Sequence, residues 1–272
     1  MKKFFLFLCW YPLLLQAQET FSFSDLSFLK NFNASFDLSA ESNLYAPSSF
    51  EYSASTGVEM TLGYVISDKM TTTLVTGVSK DLTDERQQEL SDTSLYITRG
   101  IGTWKDHATF TGIGGIILPT NETSRETNTL KGALFFSPGV SVDLKSIGLK
   151  YVYFQYYFRG TLAFHEYKIN LENKPNNQVN TSHSFSLSYY PMEKLGLTYT
   201  LKMTQGWTYS KNLSQPQYSS TLSLNGNITR NWDYSLGFST RGKMYKSNGV
   251  DSNMKIYDSA STTVFVDLII SI

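Results

Sequence analysis

The feature that most restricts this chain is an apolar–polar alternation sustained over long runs. From Leu149 to Tyr167 one parity holds Val152, Phe154, Tyr156, Phe158, Leu162 and Phe164, and the other holds Tyr151, Tyr153, Gln155, Tyr157, Arg159, Thr161 and His165. The pattern returns at Val58, Met60, Leu62, Tyr64 and Ile66, and at Leu195, Leu197, Tyr199, Leu201 and Met203. It returns again at Trp232, Tyr234, Leu236 and Phe238, and at Val264, Val266, Leu268 and Ile270. A period of two belongs to a β-strand, whose successive side chains leave opposite faces of the sheet. No stretch carries a helical stripe of comparable length, so the chain reads as all-β.

Composition says what those faces can meet. Of 272 residues, 23 are basic and 23 acidic, so no net field recruits nucleic acid. Charged residues make up 17% and aromatic residues 15%. A disordered chain is not this rich in aromatic and β-branched residues. A helical membrane protein needs apolar runs of about 20 residues, which are missing here.

Connections alternate as well. Short turns fall near Ser67-Asp68-Lys69, Trp104-Lys105-Asp106, Lys145-Ser146, Pro191 to Lys194, and Thr229-Arg230-Asn231. Longer polar loops lie at about 45–51, 82–92, 119–129, 168–182, 207–217 and 246–255. Short and long in turn is the pattern of an up-and-down barrel with periplasmic turns and extracellular loops. Counting the runs gives about twelve strands, each about 11 residues long and rising about 28 Å when tilted near 40°. An outer-membrane apolar band is about 25 Å tall. A soluble sandwich would need strands about half as long and two dry inner faces. Here one face is serine, threonine, tyrosine and charge, which suits water and not a core. The other face then meets lipid, and hydrocarbon requires the sheet to close. The expected fold is an antiparallel transmembrane β-barrel of about twelve strands.

The amino terminus reads as an export signal over residues 1–17. Lys2 and Lys3 precede the apolar run from Phe4 to Leu15, and Gln16-Ala17-Gln18 offers a cleavage point after Ala17. The remaining 18–272 form one barrel domain. Cys9, the sole cysteine, leaves with the signal.

An export signal, alternating strands, short–long connections and an amphipathic last strand resemble the transmembrane β-barrels of Gram-negative outer membranes. In those barrels an aromatic residue usually ends the segment read by the assembly machinery; this chain ends Leu268-Ile269-Ile270-Ser271-Ile272. The resemblance implies outer-membrane lipid, small solutes and the assembly machinery as partners, and no cofactor. Among barrels of this size it points to small-solute channels such as nucleoside or acidic-sugar porins. The Ile117-Leu118-Pro119-Thr120 corner after Gly112, Gly114 and Gly115 also resembles uptake barrels for hydrophobic compounds.

Parity assigns the candidate pore lining: Asp37, Glu41, Glu59, Arg159, His165, Lys202, Arg241 and Lys243, with Asp143, Asp233 and Asp267 on the same side. A basic residue on the lipid face at the midplane would cost about 2–4 kcal/mol, which favours the inward choice. These charges suit selection of solutes by charge and size. They equally suit a plug of mutually paired charges, leaving a barrel that displays its loops for interaction or adhesion. Tyr151, Tyr153 and Tyr157 are placed to stack on sugar or base rings. Trp104 and Trp232, beside short turns, and Trp207, beside a long loop, stand where interfacial girdles form.

No reaction is legible. His183 adjoins Ser184, but neighbours on a strand face opposite ways, and His165 and Glu166 meet the same objection. Zinc and nucleophile-elbow motifs are missing from the sequence. Two places leave the strand pattern open. Pro138 inside the Leu134–Leu144 run predicts a bulge or a broken ladder. Leu95, Ile97 and Arg99 share one parity, which a rim position, a bulge or an inward face would each resolve.

Overall fold

The computed structural model describes residues 30–83, 87–105, 107–192 and 194–272. The expected export segment, residues 1–17, lies outside them. Strands run over Phe32–Asn43 (β1), Ala54–Ser67 (β2), Met70–Asp81 (β3), Gln88–Leu90 (β4), Thr93–Trp104 (β5), Ala108–Leu118 (β6) and Leu130–Asp143 (β7). They continue with Val152–His165 (β8), Asn177–Met192 (β9), Leu195–Thr208 (β10), Gln217–Thr229 (β11), Trp232–Lys243 (β12) and Thr262–Ser271 (β13). Each long strand pairs antiparallel with its neighbours, and β13 returns to β1. That last seam runs from Ser35 opposite Ser271 to Asn43 opposite Thr263, and the Ile272 N–H extends it to the Ala34 carbonyl at 2.8 Å. Twelve strands close the barrel; β4 is a short addition that pairs with β3 alone. Closure leaves no long sheet edge open, as a sheet in hydrocarbon requires.

The connections refine the expected boundaries. The run 82–92 read as loop contains β4, and 119–129 contains a π-turn at Thr123–Thr127. Residues 177–182, expected in a loop, belong to β9, which at 16 residues is the longest of these strands. After β7 the chain makes a 3-10 turn over Leu144–Ile147. The Asp143 carboxylate caps that turn by accepting the Lys145 N–H at 2.9 Å, and Gly148 ends it at φ 90°, a conformation glycine adopts without strain.

Both open places are resolved by the register. Around Pro138 the β7–β8 ladder stops after Phe136 opposite Gly160 and resumes at Gly139 opposite Tyr157 with the offset unchanged. The ladder is therefore broken and not bulged. Pro138 brings no N–H to this position, and the Ser137 hydroxyl donates to the Phe158 carbonyl at 2.8 Å in its place. Arg99 lies on the outward parity, opposite Met70, the first residue after a short turn. It therefore sits at the rim. A bulge follows between Gly100 and Gly102, leaving Ile101 unpaired.

Candidate functional site: the inner face of the barrel

Residues directly opposite each other in a ladder share a face, so the register sorts every strand residue to one wall. On one face lie Leu38, Val58, Leu95, Leu134, Phe164, Leu187, Leu197, Leu236, Val264 and Val266, all exposed apolar side chains. On the other face hydroxyls form continuous rows. Ser186 and Thr200 meet at 2.9 Å, Ser188 and Thr198 at 3.0 Å, and Thr221 donates to Ser239 at 3.0 Å.

The charges sit among those hydroxyls in two adjoining arcs. One rung carries Tyr157, Ser184, Lys202, Ser219 and Arg241 across β8 to β12; the next carries Arg159, Ser182, Thr204, Gln217 and Lys243. Four cations thus stand on two neighbouring rungs with small polar residues between them. Arg159 and Arg241 are the charges that Lys202 senses. Lys202, Arg241 and Lys243 line one cavity of about 630 Å³.

The acidic arc occupies β13, β1 and β2. Asp37 is opposite Ile269 and Asp267 is opposite Ser39, both on the hydroxyl face. Asp267 interacts electrostatically with Asp37 and Glu41, and Glu59 with Asp37. Glu41 accepts a hydrogen bond from Ser55 at 3.3 Å. One oxygen of Asp37 is buried without a hydrogen-bond partner. The arcs meet at a cavity of about 370 Å³ lined by Glu41, Asp267 and Arg241. Among the described residues, no ion pair joins the arcs: all five ion pairs involve loop residues or the outer end of β7.

Two of the inward residues are engaged at the ends. His165 ends β8 at the outer mouth, where its N–H donates to the Tyr209 hydroxyl at 2.9 Å. Asp233, at the short-turn end of β12, accepts from Asn227 at 2.6 Å. Tyr151, Tyr153 and Tyr157, expected to offer a stacking surface, are engaged separately. Tyr151 precedes β8 with φ 65°, Tyr153 meets Tyr190 edge-on at 6.0 Å, and the Tyr157 ring lies on Gly139, where any Cβ would strike it. Trp104, Trp207 and Trp232 all lie on the apolar face at strand ends, with the Lys105 ammonium 5.0 Å from the Trp104 ring.

A cluster unforeseen in the sequence projects from the β5–β8 wall. The Arg159 guanidinium lies 3.9 Å over the Phe135 ring, and Tyr96 meets that ring edge-on at 6.1 Å. Phe135 is the odd member of a polar parity shared with Ser137, Gly139 and Ser141, and that was its available signal. Tyr96 stayed hidden because the β5 register was open. His183 lies on the apolar face, 2.9 Å from the Tyr156 hydroxyl, while Ser184 faces inward opposite Lys202.

Neither protein-family profiles nor curated protein sequences match this chain. Solved structures do. An outer membrane channel from Pseudomonas putida F1 superposes with a TM-score of 0.60 at 10% identity, over 89% of this chain and 95% of that one. The fold is that of the outer-membrane channels. The NanC porin follows at 0.56 and 8% identity, over 87% of this chain and 98% of that one. The KdgM porin, solved with disordered oligogalacturonate, follows at 0.50 and 7% identity, over 88% and 99%. At such identities the likeness concerns the barrel and its strand number, and leaves the lining to be argued from its own residues.

Proposed function

We propose that the protein is a passive channel of the bacterial outer membrane for small hydrophilic solutes, lined by Asp37, Glu41, Glu59, Arg159, His165, Lys202, Arg241 and Lys243. The observation that carries this reading is the lack, among the described residues, of ion pairs between the arcs. A plug stabilised by its own charges would pair Arg159, Lys202 and Arg241 with the carboxylates, because a charge in a narrow, low-dielectric interior is costly when alone. Cations separated by Ser182, Ser184 and Ser219 instead stay without a carboxylate partner and act on whatever passes. Hydroxyl rows supply replacement hydrogen bonds to a partly dehydrated solute.

The same reading makes the barrel non-enzymatic and gives Trp104, Trp207 and Trp232 to the two membrane interfaces. The experiment is reconstitution into planar bilayers in a salt gradient. Stepwise conductance with a reversal potential set by lumen charge is expected. Pure, folded protein that never conducts would move the function to the loops.

A further inference from the structure

The outer wall of β11–β13 carries polar groups where lipid is expected. Tyr218 lies opposite Met203, Ser220 opposite Leu201, and Thr240 opposite both Ser220 and Thr262, so all four share the apolar face. Thr240 lies eight residues beyond Trp232, about 20 Å up the wall and still within an apolar band about 25 Å tall. Bare hydroxyls there would be unsatisfied. Yet Thr240 and Thr262 are both 0% exposed.

The cover is the connection between β12 and β13, which folds down over the outside of the barrel. The Lys255 N–H donates to the Tyr218 hydroxyl at 2.9 Å, and Thr240 donates to the Ile256 carbonyl at 2.8 Å. The Thr240 and Thr262 hydroxyls meet at 2.8 Å, and Thr262 accepts the Asp258 N–H at 2.9 Å. The Tyr257 ring stands edge-on to Phe238, centroids 6.4 Å apart. Every wall hydroxyl under the strap is thus bonded to it or to a neighbour. The strap's own outer surface is apolar: Met254, Ile256 and Tyr257 are exposed, Ile256 at 59%. That surface continues the exposed band of Leu236, Val264 and Val266, and the Lys255–Asp258 pair, 3.2 Å apart, lies beside it.

We propose that residues 254–258 are a membrane-seated strap, with Met254, Ile256 and Tyr257 inserted at the headgroup–acyl boundary of the outer leaflet. The occupant is lipid, because the strap restores apolar cover to a part of the wall that its own hydroxyls would interrupt. A Tyr with one polar end and an apolar body suits that boundary. The inference rests on the membrane location and not on conduction.

The test uses the protein reconstituted in phosphatidylcholine vesicles and spin-labelled at Ile256→Cys, with Asn248→Cys on the same loop as reference and Cys9→Ser in both so that any uncleaved chain takes no second label. Accessibility to oxygen several-fold above that to a nickel chelate is expected at 256, and the reverse at 248. Preferential chelate access at 256 overturns the proposal. Spin–spin broadening at 256 that disappears on dilution with unlabelled protein also overturns it, in favour of a second copy on the strap. Should the cysteine variant not fold, Tyr257→Trp is read instead. Bromolipids should quench its added fluorescence, and an unquenched signal has the same adverse meaning. A barrel that never conducts leaves these readings unaffected, so the two proposals fail separately.

Discussion

Lys131 at the outer end of β7 and Glu166 just beyond β8 stand 2.6 Å apart, both open to solvent. Arg159, lower on the same β8, has an aromatic ring beneath it and no carboxylate partner among the described residues. Outside the barrel, opposite charges come together; inside, they are kept on separate arcs by rows of serine and threonine. In bulk water a pair is worth little, so loop pairs form and break at small cost. In the proposed channel, pairing inside would fill the path and discharge the wall. The separation follows from which strands carry which sign: cations on β8, β10 and β12, carboxylates on β13, β1 and β2.

The largest effect expected from breaking this comparison tests which face is which. Leu236→Arg puts a charge on the exposed apolar wall and should cost about 2–4 kcal/mol near the midplane. Ser235→Arg, one residue away and facing Asp267, should cost far less. Denaturant unfolding in lipid vesicles measures both. Equal costs would remove the basis for calling one face lipid and the other lumen.

A smaller effect is expected from discharging one arc at a time. A unit charge about 4 Å from a passing ion in water contributes about 1 kcal/mol, roughly fivefold in local ion concentration. Arg159→Ala, Lys202→Ala and Arg241→Ala together should shift the reversal potential towards cations. Asp37→Asn, Glu59→Gln and Asp267→Asn together should shift it towards anions. If neither set moves it, the arcs do not set selectivity.

Strand parity made most of this legible in advance. A strict period of two allows a residue only two destinations, so Lys202 or Glu59 can be placed without coordinates once its neighbours declare the apolar side. Parity is lost where the ladder changes count: at the Gly100–Gly102 bulge, and for Tyr96, whose inward face depends on where that bulge falls. Loops resist for a different reason. Whether 244–261 stands in solvent or folds onto the wall depends on long-range bonds such as Lys255 to Tyr218, which no local pattern encodes. Thr240 and Thr262 on the apolar face mark the wall it covers, and not the segment that covers it.

The broken rung at Pro138 gives a finer comparison within one strand. Ser137→Ala removes the hydroxyl that serves the Phe158 carbonyl and should cost about 1 kcal/mol, the usual net worth of such a bond. Pro138→Ala returns a backbone N–H to the same position. In that background Ser137→Ala should cost clearly less. Identical costs in both backgrounds, by unfolding in vesicles, would mean the serine does not stand in for the missing donor.

The smallest expected effect lies in the loop pair that opened the comparison. Glu166 is held below the usual carboxylate range, first by its hydrogen bond with Lys131, then by one from Tyr167 and by the Lys131 charge. A carboxylate whose pKa is lower folded than unfolded stabilises the fold above its unfolded pKa, and that contribution is lost as pH falls through the folded value. The Glu166 N–H, bonded to the Thr129 carbonyl at 2.8 Å, should therefore lose hydrogen-exchange protection only in acid below the ordinary carboxylate range. Lys131→Met should move that loss up towards the ordinary range. High salt should do the same in part, because the pair is exposed and screened within a Debye length of about 10 Å at 0.1 M. An acid profile indifferent to both would show that the 2.6 Å contact does not hold the β8 end, leaving the Tyr209 hydroxyl on His165 to hold it instead.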